Sequence, residues 1–361
     1  MAHSKKNPSS INVKVWLGGF FVFLSIIVGI LVTIATLQSE LEGFVLIDLF
    51  ASTGVWLSHP SWLWLSLLAV LMMIFTSALR LWMLLHSSGH PIPLLTALRY
   101  GILSRYYVLI TPWGLGGQPI MMGLMHKEGV PFAQATAIPM LDLFFMRFAM
   151  AILTTIAFFG IGNLLDPYLF VFSLVGYFFT SFLPVVLILF SFHPSFSRFF
   201  VGLIRQYWFK RTAVSVAKKV EEAFSLYQHA FAFYKKKIGS LMAVFLSSVV
   251  SQLSLLIIPF FILSSFVPVF IGDNLPSFQW TQLVQLMAMT NTMLGVVPTI
   301  GSAGAAEFTF SAIFSRFVVG QELFWVTFIW RFFVFYGWLI LGLVVLILRG
   351  VLIQKKAVPS K

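Results

Sequence analysis

The sequence contains no cysteine, which excludes disulfides and every metal or redox centre built on thiolates. It is also poor in charge. Only 9% of its 361 residues are Asp, Glu, Lys or Arg, against roughly 25% in an ordinary soluble domain. A chain this sparse in charge cannot cover itself against water, so lipid must surround most of it. Catalytic signatures are missing too: there is no Gly-x-Ser-x-Gly elbow, no Walker loop and no His-Glu-x-x-His helix. Without a nucleotide site, ATP-driven transport by this chain alone is not expected, and no cofactor is called for. His86 and His90 stand four apart, but Ser87, Ser88 and Gly89 between them and Pro91 after them read as a turn. No acid is nearby, and no metal site is expected.

Acids are scarce in particular, 11 against 23 Lys and Arg, leaving a formal net charge of +12. The distribution of that charge argues against a nucleic-acid partner. Lys5, Lys6 and Lys14 precede the first apolar run, the largest basic cluster lies at 198–237, and Lys355, Lys356 and Lys361 close the sequence. Basic residues in short loops remain on the cytoplasmic side of a membrane, beside anionic lipid.

What the chain has in abundance is apolar length: 59% of residues are hydrophobic and 17% aromatic. About 20 apolar residues cross a bilayer, and full spans are expected at 15–37, 62–86, 131–163, 168–192, 238–271 and 322–348. The first is too long for the core of a cleaved signal peptide and reads as a retained span. Segments 94–126 and 280–318 are also apolar, but Gly and Pro break each in the middle. They are expected as re-entrant hairpins, a form tolerated only where protein or a wet cavity surrounds the break.

Charge supports this count. With both termini cytoplasmic, six spans and two hairpins place every lysine inside, while Glu40, Glu42, Asp48, Asp166 and Asp273 fall outside. Within the inner loop 193–237, Ala213, Ala217, Val220, Phe224, Tyr227, Phe231 and Tyr234 recur at helical spacing. An amphipathic helix on the cytoplasmic interface and a connector packed on the bundle both fit that pattern. The fold class is therefore an all-α integral membrane protein, and 1–361 forms a single polytopic domain.

The two broken segments resemble each other. The first reads TPWGLGGQP at 111–119 and is followed by Asp142 and Arg147 in an apolar span. The second reads VPTIGSAGAAE at 297–307 and is followed by Arg331 in another. From Pro112 to Arg147, and from Pro298 to Arg331, the separations differ by two residues. Three spans intervene, so the hairpins enter from opposite faces. That is the pattern of an inverted-topology repeat, whose broken helices meet near the midplane around a substrate site. Repeat one covers about 62–163 and repeat two about 238–349.

At these residues the chain resembles the flippase-like transmembrane domain of lysylphosphatidylglycerol synthases, the multiple peptide resistance factors of bacteria. The Pro-Gly break, the Lys127-Glu128-Gly129 turn, the Asp142 and Arg147 span and the Pro-x-x-Gly…Glu break carry the likeness over about 16–349. The resemblance implies a bacterial cytoplasmic-membrane protein that moves an anionic-phosphate or lysylated phospholipid between leaflets. It leaves open a separately encoded lipid synthase and homo-oligomerisation as partners, and a lipid-modifying transferase as the alternative activity. The synthase domain of two-domain members is expected to be absent, since a short basic tail follows Arg349. Trp113 departs from the smaller residue expected in the first break.

Ionisable groups within spans cost about 2.5–3.5 kcal/mol each on insertion scales and mark function by default. Arg80, Arg99, Arg105, Asp142, Arg147, Glu307, Arg316 and Arg331 qualify. The arginine surplus suits a lipid phosphate, because a planar guanidinium grips two oxygens at once. Arg147 and Arg331 are expected to hold it, with Asp142, Arg105 and Glu307 nearby. Gly116, Gly117, Gly301 and Gly304 would let backbone approach the ligand, and close helix packing would use the same residues. Arg80 is expected to snorkel towards the headgroups. Glu307 is expected in the first turn of a half-helix, as a cap or as a partner for an intramembrane arginine.

Overall fold

The computed structural model describes residues 61–161, 167–192, 237–266, 280–297, 299–315, 317–318 and 321–357, together with Ile27, Leu31, Gln228 and Tyr234. Apart from those isolated positions, the span expected at 15–37 and the amphipathic stretch of 193–237 lie outside the described residues, as does Arg316.

The described residues form helices and no strand. In order they are α1 (Ser61–Ser87), α2 (Leu94–Leu109), α3 (Gly117–Lys127), α4 (Phe132–Ile161), α5 (Pro167–Phe192), α6 (Ile238–Phe266), α7 (Trp280–Leu294), α8 (Ala305–Phe314), α9 (Gln321–Arg331) and α10 (Gly337–Ala357). Short 3₁₀ turns, Pro112–Gly114 and Ile300–Ser302, interrupt the two hairpins, and a π turn, Phe332–Tyr336, joins α9 to α10. Five helices are long and apolar enough to cross a membrane, counting α9 and α10 as one. They coincide within a few residues with five of the six expected spans. The protein is an all-α membrane protein.

Burial follows helical periodicity, with the polarity of a soluble core partly inverted. On α1, Ser66, Ala69, Met73, Thr76, Arg80 and Leu84 are buried, while Leu68, Leu71 and Phe75 face outward. α1 and α6 share the most extensive interface in the fold. Buried serines allow this close approach, because small residues let helix backbones come together where no hydrophobic force between helices acts. Ser247 Oγ donates across the interface to the Thr76 carbonyl at 3.2 Å. Ser248, Ser254 and Ser264 instead bond carbonyls one turn back on α6. These four hydroxyls are satisfied within the protein, whereas the buried Ser251 Oγ has no partner among the described residues.

Two further contacts correspond when the two halves are exchanged. α2, the first leg of one hairpin, packs on α10, beyond the other hairpin. α7, the first leg of the second hairpin, packs on α4, beyond the first. The two 3₁₀ turns touch each other. Glycines set the closest of these approaches. A Cβ at Gly342 of α10 would overlap the Tyr106 ring of α2, and a Cβ at Gly160 of α4 would lie 2.6 Å from the Gln285 side chain of α7.

The first hairpin returns to the side it came from. Arg99, in the second turn of α2, donates to both oxygens of Glu128, which follows α3, at 2.6 Å each. Tyr100 donates to the same carboxylate at 2.6 Å. Its mouth is therefore closed by charge. In the second hairpin, α8 has ten residues, about 15 Å at 1.5 Å per residue, too short to cross a bilayer.

Gly176 of α5 and Gly239 of α6 separate packing from propensity. A Cβ at Gly176 would overlap the backbone carbonyl of Thr292, whereas one at Gly239 would meet nothing within 4 Å. Gly176→Ala is expected to destabilise the protein by about 1–3 kcal/mol. Gly239→Ala is expected to be neutral or to stabilise by up to about 1 kcal/mol. Thermal unfolding in detergent reads both, and equal transitions for the two variants would refute the packing account.

Candidate functional site

The two hairpin breaks enclose a cavity of about 370 Å³. α1 supplies Arg80, α2 supplies Ser104 and Arg105, and α4 supplies Asp142 and Arg147. The second break supplies Thr299, Gly301 and Ser302, and α9 brings Arg331. Of the residues singled out from sequence, Arg105, Asp142, Arg147, Arg331 and Gly301 line this space together. Glu307, Gly116, Gly117 and Gly304 stand behind it.

The backbone of the second break is held by one ion pair. Glu307 is completely buried, and its Oε1 accepts from Arg331 Nε at 2.7 Å. Its Oε2 accepts from the Gly304 N–H at 2.8 Å. Arg331 Nη1 and Nη2 reach the Gly301 carbonyl at 3.4 and 3.3 Å. Glu307 thus both caps α8 and pairs with the arginine, so the two readings open in the sequence coexist. Gly301 has a left-handed φ of 57°, and a Cβ there would also overlap the Phe335 ring. Phe335 itself lies 4.4 Å below the Arg331 guanidinium, centroid to carbon. The π turn that presents this ring begins directly after Arg331.

The first break uses neutral groups. Thr111 Oγ1 donates to the Tyr107 carbonyl at 2.6 Å and accepts from the Gly116 N–H at 2.9 Å. A Cβ at Gly117 would lie 2.8 Å from the Ser104 carbonyl, so Gly116 and Gly117 serve the packing of α3 on α2. The first turn of α3 carries no acid, whereas that of α8 carries Glu307.

This difference decides the charge of the cavity. Arg80 does not snorkel: it is 2% exposed, and its Nε donates to Asp142 Oδ1 at 2.7 Å. The face of α1 that bears Arg80 packs inward, and the α4 carboxylate neutralises it there. Arg331 is neutralised by Glu307. Arg105 and Arg147 have no carboxylate partner among the described residues. Arg105 lies 6.0 Å above the Trp338 ring with its Nε buried and unbonded. Arg147 makes no hydrogen bond to a described residue and sits beside Gly295, where α7 ends. Four arginines set against two carboxylates leave two positive charges on this cavity.

Neutral amides complete the lining. Gln118, Gln252 and Asn291 border the cavity, and Gln252 Nε2 also donates to the Met146 carbonyl at 3.2 Å. Being uncharged, they are not among the residues singled out from the sequence. An amide on an otherwise apolar helix was the available signal.

Fold and site define a polytopic membrane protein with a positively charged cavity where two broken hairpins meet. No curated protein and no solved structure matches the chain. The chain belongs to the family described as the lysylphosphatidylglycerol synthase TM region, which it matches over residues 16–342. Membership points to a role with membrane lipid.

The two kinds of arginine predict different outcomes on truncation. Arg331→Ala leaves the buried Glu307 charge unpaired and is expected to cost about 3–5 kcal/mol. Arg331→Met combined with Glu307→Gln is expected to recover most of that loss. Arg147→Gln removes a charge that has no partner and is expected to leave the thermal transition in detergent unchanged or raised. An Arg147→Gln loss as large as that of Arg331→Ala would contradict the assignment of partners.

Proposed function

We propose that the protein is a lipid translocase that moves an anionic-phosphate or lysylated phospholipid, such as lysylphosphatidylglycerol, between the leaflets of a bacterial cytoplasmic membrane. The observation that carries the reading is the pair of uncompensated arginines, Arg105 and Arg147, in a cavity built from two broken hairpins. A guanidinium binds phosphate oxygens through paired N–H groups, and an uncompensated charge in a low-dielectric site is itself unfavourable until an anion arrives. The phosphate sits between Arg105 and Arg147, and the acyl chains remain in lipid. Arg80–Asp142 and Arg331–Glu307 hold the walls. Family membership supports the lipid class, and the interchangeable contacts of the two halves support an inverted repeat. In such a repeat, rocking of one half against the other exposes the site to each face in turn. The basic residues at 198–237 suit a cytoplasmic placement of that loop, where a separately encoded synthase would dock.

Leaflet exchange in proteoliposomes tests the proposal, using fluorescently labelled phosphatidylglycerol, lysylphosphatidylglycerol and phosphatidate with a membrane-impermeant quencher. Arg105→Ala and Arg147→Ala are expected to slow exchange about tenfold or more, the loss of at least one charge-assisted contact, without loss of folded protein. Arg99→Ala, at the mouth of the first hairpin, is expected to retain exchange. Rates no faster than empty liposomes for every lipid would overturn the translocase reading. Formation of a modified lipid by the purified protein would replace it with the transferase.

A further inference from the structure

The two halves share an order of elements, a broken hairpin followed by a span, and differ in charge. Arg331 and Arg147 hold corresponding places, each on the span that follows a hairpin. The second hairpin supplies Glu307 to its arginine, and the first hairpin has no acid in the corresponding turn of α3. Arg147 is left free at the place where its counterpart is paired. Arg105 lines the same cavity and also lacks a carboxylate partner among the described residues. Neither described carboxylate at the cavity is left over for them: Asp142 Oδ1 is bonded to Arg80, and both oxygens of Glu307 are engaged behind Arg331.

Resting on the translocase reading, we infer that the cavity selects a phosphoryl group carrying two negative charges and no ammonium, as in a phosphomonoester or diphosphate headgroup. A dianion neutralises both arginines. A phosphodiester such as phosphatidylglycerol neutralises one and leaves the other uncompensated. A lysylated headgroup brings ammonium groups into a space whose lining carboxylate, Asp142, is already paired with Arg80. Charge interactions strengthen severalfold away from water, so the order of preference follows the charge of the headgroup. Gln118 and Asn291 can bond any of these ligands and do not alter the order.

The test is equilibrium binding to the full chain in a neutral detergent at pH 8, where a phosphomonoester, with a second pKa near 6, carries two charges. Dioleoyl phosphatidate, phosphatidylglycerol, lysylphosphatidylglycerol and inorganic phosphate are compared. Phosphatidate is expected to bind about tenfold or more tightly than phosphatidylglycerol, with the lysylated lipid weakest. Arg105→Gln and Arg147→Gln are each expected to reduce that preference to about threefold or less, while Arg147→Lys retains it. Elution as a single species and an unchanged helical circular dichroism spectrum establish that the variants are folded.

Binding of the lysylated lipid as tight as that of phosphatidate would overturn the inference, and so would a preference that survives in both Gln variants. Inorganic phosphate binding as tightly as phosphatidate would uphold the dianion chemistry and make the ligand free phosphate. Because binding is read without a bilayer, the two conclusions fail separately. A retained phosphatidate preference with no leaflet exchange removes the translocase reading alone. Exchange without that preference removes the inference alone.

Discussion

A helix broken inside a bilayer exposes amides and carbonyls that lipid cannot satisfy, and each costs several kcal/mol if left alone. The arrangement of the central site follows from meeting that demand twice. In the second hairpin Glu307 takes the Gly304 amide and Arg331 takes the Gly301 carbonyl, and the two side chains neutralise each other. In the first hairpin Thr111 bridges the Tyr107 carbonyl and the Gly116 amide with one hydroxyl. The breaks can then face each other across a polar space, and the surrounding spans need only supply apolar outer faces and small residues between helices.

The choice of an ionic solution in one hairpin and a neutral one in the other separates two duties that a symmetric repeat would merge. The ionic hairpin is a frame, since removing either partner strands a buried charge. The neutral hairpin demands nothing of the arginine on the following span, which stays available to a ligand. The same logic places Arg80 with Asp142 in the frame. Arginine count alone therefore does not tell a structural arginine from an uncompensated one in a membrane; the pairing of each does.

Spans α1, α4, α5 and α6 and both hairpins were legible in the sequence because apolar length and Gly-Pro breaks are local properties. The likeness of the breaks and the nearly equal spacing to Arg147 and Arg331 also pointed to their meeting. Pairing was legible only in part: Glu307 was expected beside an intramembrane arginine, but which one was not. Arg80 and Asp142 are 62 positions apart, and nothing local to Arg80 distinguishes an inward face from a snorkelling one. Arg331 read as equivalent to Arg147, because the acid that sets it apart acts across the fold from another helix. The π turn after Arg331 has no composition of its own: Phe332, Phe333, Val334, Phe335 and Tyr336 continue the apolar run, and only the fit of Phe335 against Gly301 accounts for its placement. Gln118, Gln252 and Asn291 were overlooked because an uncharged amide costs far less to embed than an ion and so stands out less.

The clamp between Arg99 and Glu128 has a further consequence. Its two side chains are about one-third exposed, 32% and 30%, whereas the pair at the tip of the second hairpin is sealed. Mobile ions reach the first and not the second, because screening acts on solvated charges over about 10 Å at 0.1 M salt and hardly at all on buried ones. The salinity of the solution at the mouth of the first hairpin therefore acts on the Arg99–Glu128 clamp and leaves the Arg331–Glu307 pair untouched. Two ion pairs of one protein, one wet and one sealed, respond unequally to the medium that bathes it.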